Sequence, residues 1–414
     1  MMRIFFVFSF YLFLLWPSLA QTVTSQDSLK TKYAFLNLEQ NVILNDTVGL
    51  KRFYKKLLGL RMRLVPTVSV VHIGDSHLQA DVFPGRVRRE LQQAFGNAGR
   101  GLVFPYKVAR TNGPWDYRTT SAQAWRSRRV ISARDSLLEI GVAGITLATQ
   151  DPGASLVLQI TPNQLLDYRF NKAQVLRRGG PQAFDLEITD AAGKPLGVVP
   201  GQGSYLSTVL RTDSLLTGLQ LRVRQQDSAQ LQTELYGLVL ENGQPGVLYH
   251  MIGINGAAYR HYNKAPLFTE QLQVLSPDLF ILSLGTNDAY GAGFDEMAFY
   301  NELHTLVSRL RQQYPRAEVL LTTPGDSYRH RKYRNPDLKT VRDLMKRYCL
   351  ENGLACWDFH SVMGGYGAMQ RWQAAGLAQP DRVHLTSAGY QLQGFLLYTA
   401  LTNGFEKFAP TGLE

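Results

Sequence analysis

Cysteine is almost missing from this chain. Cys349 and Cys356 are the only two in 414 residues, which excludes a fold stapled by disulfides. Their spacing fits no zinc site. We read them as two separate core thiols, with a bridge between them as the alternative in an oxidising compartment. Long hydrophobic runs are missing too. The apolar run at the N-terminus, Ile4 to Trp16, is thirteen residues, too short for a stable membrane span. No internal repeat is visible. Acid is scarce beside base: 33 Asp and Glu against 44 Lys and Arg give a formal net charge of +11. That surplus suits an anionic polymer such as cell wall or an acidic glycan. Nucleic acid would also fit, but no nucleic-acid motif accompanies it, so no nucleic-acid partner is expected.

The N-terminal run has the parts of a signal peptide over 1–20. Arg3 precedes it, and Ser18-Leu19-Ala20 supplies small residues for cleavage. Gln21 follows where a lipid anchor would need Cys. The mature chain is expected to be exported, to the periplasm or beyond the cell. Residues 21–64 read as a polar leader, disordered or lying on the surface, with a short amphipathic helix from Phe53 to Leu60.

From about residue 65 a strand-then-helix rhythm begins. Thr67 to Asp75 is a compact apolar strand that stops at a turn. A helix follows from Ser76 to about Phe95, with Leu78, Val82, Val87, Leu91 and Phe95 on one face. The rhythm halts near 125 and resumes near 246. Val247 to Ile254, Leu279 to Leu284, Val319 to Thr323 and Leu354 to Phe359 are further buried strands. Helical spacing separates them at about 267–275, 296–314 and 336–351, and a last helix runs from Ser387 to about Asn403. The expected fold class is α/β: a three-layer α/β/α parallel sheet over 65–125 and 246–405, with chemistry at the carboxyl ends of its strands. Residues 126–245 differ. Short alternating segments such as Ser136–Thr149, Ser155–Thr161, Leu206–Arg211 and Leu219–Arg224, punctuated by Gly and Pro turns, predict an inserted all-β sandwich.

Three stretches at strand ends carry the chemistry. Gly74-Asp75-Ser76-His77 puts a hydroxyl at a helix N-terminus, where its N–H is free and the dipole favours negative charge. Asp381-Arg382-Val383-His384 spaces a carboxylate and an imidazole so that one turn brings them together as an oriented general base. Gly285-Thr286-Asn287-Asp288 offers an amide donor for an oxyanion. Gly256, after another strand, lets a backbone N–H approach a substrate closely. Each piece alone is a common turn; four at four strand ends point to serine acyl chemistry.

These four blocks resemble those of the SGNH (GDSL-type) hydrolase family. The resemblance implies a flavodoxin-like fold with Ser76 as nucleophile, His384 and Asp381 as base and orienter, and an oxyanion hole from Ser76, Gly256 and Asn287. It implies no cofactor and no metal. His77, where the family commonly has Leu, is similar to a branch that includes bacterial peptidoglycan O-acetylesterases. Some members of that branch carry a β-sandwich like a carbohydrate-binding module after the first block. The expected partner is therefore a polymeric glycan, peptidoglycan or another acetylated polysaccharide.

Further candidates for substrate contact are His77, Tyr290 and Trp372, among loop aromatics that could stack on sugars. The basic run Arg329-His330-Arg331-Lys332-Tyr333-Arg334 could meet carboxylates of an acidic glycan or peptide, but reads more simply as a solvated loop. The leading expectation is an exported O-acetylesterase. An O-acetyltransferase with the same triad and a non-catalytic glycan-binding protein are the alternatives. A lipase is disfavoured because no long apolar lid segment is present.

Overall fold

The computed structural model describes residues 26–132, 138–162, 165–203 and 207–410. The expected signal peptide lies outside them, as do Ser136 and Leu206, where two expected strands begin. Six strands form the main sheet, in the order Ile43–Leu44, Ala355–Trp357, Glu318–Thr322, Leu279–Ser283, Thr67–Gly74, Gly246–Gly253. All neighbours are parallel except the first pair. Thr67–Gly74 is bonded on both sides and covered on both faces. That is why Val68, Val70, Val71 and Ile73 are all buried and the strand shows no alternation. The chain steps from it to one neighbour, then crosses back to build the other side. Strand order therefore reverses at Thr67–Gly74, and such a reversal opens a crevice at the carboxyl ends.

Helices pack in two sets. Lys51–Arg61 and Ser387–Phe408 each contact Phe83–Phe95, while Tyr259–Asn263 and Asp337–Glu351 each contact Glu296–Gln313. The Asp337–Glu351 helix starts where Asn335 Oδ1 accepts the Asp337 N–H at 3.2 Å. Thr386 caps the last helix by accepting from Gly389 N.

Two expectations are corrected here. The segment before residue 64 is not a loose leader from Asn41 onward. Ile43 and Leu44 add an antiparallel edge to the sheet opposite Trp357 and Cys356. Leu50, Phe53, Leu57 and Leu58 are buried, and Asn41 joins Trp357 Nε1 to Leu396 O. The helix expected from Ser76 to Phe95 is also two: Ser76–Gln79 and Phe83–Phe95. Between them Asp81 sits at φ +58°, turned so that its carboxylate receives Arg88 and Arg100. Cys349 and Cys356 are buried free thiols.

Apart from a two-stranded hairpin, Tyr328–Arg329 with Tyr333–Arg334, the remaining strands form two antiparallel sheets. One runs Pro195–Val199, Asp185–Asp190, Gly218–Arg224, Ser155–Ile160, Tyr117–Thr120; the other runs Thr208–Leu216, Phe170–Arg177, Thr233–Glu241, Ile145–Thr149, Arg126–Arg129. Gly101–Val103 also pairs with Thr233–Glu241. Strands thus enter these sheets well before residue 126. They share one buried apolar cluster with the parallel sheet. Leu102 N donates to His250 Nδ1 at 3.1 Å and Val142 N to Gln271 Oε1 at 2.9 Å. Arg88 and Arg100, fully paired with Asp81 and Asp116, add a buried ionic joint between the two parts.

Candidate active site

The Thr67–Gly74 strand ends against its neighbour so tightly that a Cβ on Gly74 would meet Ser283 O at 2.7 Å and Leu78 at 2.8 Å. Only glycine fits that approach. The chain then turns at Asp75, whose Oδ1 accepts the His77 N–H at 2.9 Å. This cap starts the Ser76–Gln79 turn and fixes Ser76 as its first residue.

Ser76 Oγ lies 2.9 Å from His384 Nε2. His384 Nδ1 lies 2.7 Å from Asp381 Oδ2. With the Nδ1 proton on the carboxylate side, Nε2 is left to accept from the hydroxyl. The Asp381 side chain is held by its own loop: Oδ1 accepts the N–H groups of Val383 and His384 at 2.9 and 3.0 Å. Arg382 between them is left-handed, at φ +56°. Burial works to raise the Asp381 pKa, but the bonds from His384 and the two backbone N–H groups outweigh it and hold it below the usual range.

The expected oxyanion groups gather around Ser76. Gly256 is at φ +79°, and a Cβ there would touch only Ile131 at 3.8 Å. The backbone angle, not crowding, is what calls for glycine. Asn287 Nδ2 donates to Ala257 O at 2.9 Å and to Asp75 Oδ2 at 3.2 Å, so Asp75 joins the serine turn to the asparagine loop. Asp288 Oδ1 in turn accepts the Tyr259 N–H at 3.2 Å. Burial, opposed by the His77 N–H and aided by Asp288, raises the Asp75 pKa to about 7. Burial raises that of Asp288 to about 6.

These groups open into a cleft of about 820 Å³ lined by Ser76, Gly256, Asn287, Asp381 and His384, with Asn112, Tyr290, His330 and Arg331 around them. Gln79 and Asn112 were not singled out from the sequence. Gln79 Oε1 accepts Asn255 N at 2.6 Å, while its Nε2 donates to Asn112 O and Thr111 Oγ1. A Gln three residues after the serine was the one available signal.

Of the three candidate contact residues, Tyr290 lines the cleft, 37% exposed. His77 stands behind His384 with ring centroids 5.3 Å apart, its Nδ1 2.9 Å from Tyr390 Oη. Burial, with His384 adding to it, lowers its pKa to about 3, so it stays neutral. Trp372 is a correction. It is fully buried, donates from Nε1 to Met363 O at 2.9 Å, and packs on Phe35 and Phe359. It is core and does not line this cleft. Among the described residues, no group of three or more His, Cys, Asp or Glu could hold a metal ion, and no helix is long and apolar enough to cross a membrane.

Residues 213–392 match the GDSL-like Lipase/Acylhydrolase family. The chain carries a GDSL-like lipase/acylhydrolase domain, and it is a serine esterase. The match takes in Gly256, Asn287, Asp381 and His384 but starts long after Ser76. The Thr67–Gly74 strand, inside the same sheet, brings the serine back to the matched part. No curated protein matches the sequence. A solved peptidoglycan O-acetylesterase structure is similar at 23% identity, over 86% of this chain and 96% of that one, with a TM-score of 0.73. At that identity the likeness is one of fold. A lipase/acylhydrolase from Enterococcus faecalis aligns over 38% of this chain and 77% of its own at 20% identity, TM-score 0.32. The acetyl xylan esterase AlAXEase aligns over 37% and 81%, at 20% identity and TM-score 0.32.

Proposed function

We propose that this chain is an exported esterase that removes O-acetyl groups from a glycan, peptidoglycan first among them. The observation that carries this reading is the Ser76–His384–Asp381 chain of bonds opening into a cleft wide enough for a sugar. His384 Nε2 takes the hydroxyl proton as Ser76 Oγ attacks the acetyl carbonyl. The N–H groups of Ser76 and Gly256 and the Asn287 amide hold the resulting oxyanion. Of the two Asn287 bonds, the longer one, to Asp75, is the one the oxyanion displaces. Collapse breaks the ester bond, and the sugar oxygen leaves with the proton from His384. Water repeats the sequence and releases acetate, restoring Ser76. Asp381 keeps the imidazole oriented throughout.

Support for a glycan comes from the near full-length fold likeness to a protein that acts on peptidoglycan. We read the two antiparallel sheets, whose strands run from Gly101 to Glu241, as an inserted β-sandwich that holds the polymer, and 1–20 as the export signal. The test is acetate release from purified O-acetylated peptidoglycan beside acetylated xylan. Wild type is expected to release acetate from the first faster than from the second. Ser76→Ala is expected to release none, and retained activity in that variant overturns the assignment. An O-acetyltransferase would form the same acyl-enzyme; acetylated sugar in place of acetate, with a sugar acceptor present, would mark it.

A further inference from the structure

The basic run beyond residue 328 forms a small hairpin on the cleft rim. Tyr328–Arg329 pairs with Tyr333–Arg334, and Lys332 N donates to Arg329 O across the turn at 3.1 Å. The two central residues, His330 and Arg331, sit at φ +51° and +63°. A turn with two left-handed centres is the type that Asn-Gly fits with least strain. Here it carries an imidazole and a guanidinium, and both line the cleft. Strain of this kind persists where surrounding contacts enforce it.

Those contacts come from the active-site loops themselves. Arg329 Nη2 donates to Ala289 O at 2.6 Å, and Asn335 Nδ2 to the same oxygen at 3.0 Å. Both bonds fix the hairpin to the loop that carries Asn287. On the other side, Tyr328 N donates to Arg382 O at 2.9 Å, and Arg382 Nη1 reaches Arg331 O at 3.4 Å. Arg382 lies between Asp381 and His384 and is itself left-handed. The Tyr290 and His330 rings lie 6.3 Å apart, tilted by 59°. Arg331 is exposed and makes no ion pair among the described residues. Among the described residues, Asp381 is the one carboxylate lining the cleft, and it is committed to His384.

We propose that Arg331, seconded by His330, is a specificity subsite for a carboxylate on the glycan, placed beside the acetyl ester. A guanidinium matches a carboxylate with two parallel bonds, and one such contact is worth about ten- to a hundredfold in binding. The subsite deepens the esterase reading and rests on it.

The test compares kcat/KM on O-acetylated peptidoglycan fragments, O-acetylated polygalacturonate and acetylated xylan. The first two are also assayed after amidation of their carboxylates. Wild type is expected to favour at least one carboxylate form over its amidated counterpart by about tenfold or more, through KM, and to lose that preference at high salt. A peptidoglycan-only preference assigns a muramyl or peptide carboxylate; a polygalacturonate-only preference assigns a uronate. Arg331→Gly removes the charge yet suits φ +63°, so it should melt at or above wild type while cutting the preference about tenfold. Arg331→Lys should keep part of it. Equal turnover of carboxylate and amide forms, or equal loss on both in the Gly variant, overturns the subsite. If wild type releases acetate from none of these materials, the esterase reading is what fails.

Discussion

Asp75 serves two loops with one side chain. Oδ1 caps the turn that presents Ser76, and Oδ2 receives the Asn287 amide. Replacing it with Asn keeps the cap but sets two amide donors against each other. Asp75→Asn is therefore expected to lower kcat about tenfold with little change in KM, measured on an activated acetyl ester; an unchanged kcat counts against the link. Asn287→Ala removes the oxyanion donor itself and should cost about 10²–10³ in kcat; a loss under about threefold would remove Asn287 from that role. Trp372 is the residue at which sequence misleads. Gly364, Gly365, Gly367 and Gly376 surround it, so it reads as a loop aromatic. Its burial comes from Phe359 and from Phe35, the latter far off in sequence. Trp372→Ala should destabilise by about 3–5 kcal/mol, seen in urea unfolding, while KM stays near wild type. A raised KM at normal stability would restore it to the cleft.

At the scale of elements, what sequence reveals depends on how local the cause is. Ser76, Asn287 and the Asp381–His384 pair were legible because each follows an apolar strand or precedes a helix start, and glycine marks the turns. The short edge Ile43–Leu44 was not, since two residues have no period and their partners lie three hundred residues on. Phe170–Arg177 was missed because Lys172 and Arg177 interrupt its pattern; Arg177 is buried by bonds to Phe184 O and Pro200 O. The break at Asp81 was missed for the same kind of reason. Its left-handed turn is set by Arg100, which only the folded chain brings near. Without Arg100, the buried Asp81 and Asp116 share Arg88 alone and one negative charge is uncompensated, so Arg100→Ala should cost about 3–5 kcal/mol. Denaturant unfolding checks it; a change below about 1 kcal/mol would mean the joint adds little.

Across the whole molecule, burial lowers the pKa of five histidines: His72, His77 and His250 to about 3, His261 to about 4, and His360 in the same direction. Unfolded, each would take a proton near 6.5. Their contribution to stability is thus complete above that value and is lost as pH falls towards 3. Asp75 and Asp288, raised to about 7 and 6, act in the opposite sense, as do Glu234, Glu318 and Asp326, also raised by burial, since all gain stability from protonation as pH falls. The large histidine shifts should outweigh the raised carboxyls and lower the urea midpoint between pH 7 and 4; a constant or rising midpoint contradicts this balance. The order of the sheet has another consequence, for a chain that emerges from its N-terminus first. The Thr67–Gly74 strand bonds only to Gly246–Gly253 and Leu279–Ser283. Neither partner exists until more than half of the polypeptide has been made. The base arrives later still, with His384. Synthesis itself therefore withholds the reactive serine from its partners until nearly the last residues are in place, and the nucleophile strand spends that interval as an unpaired apolar segment in need of shelter.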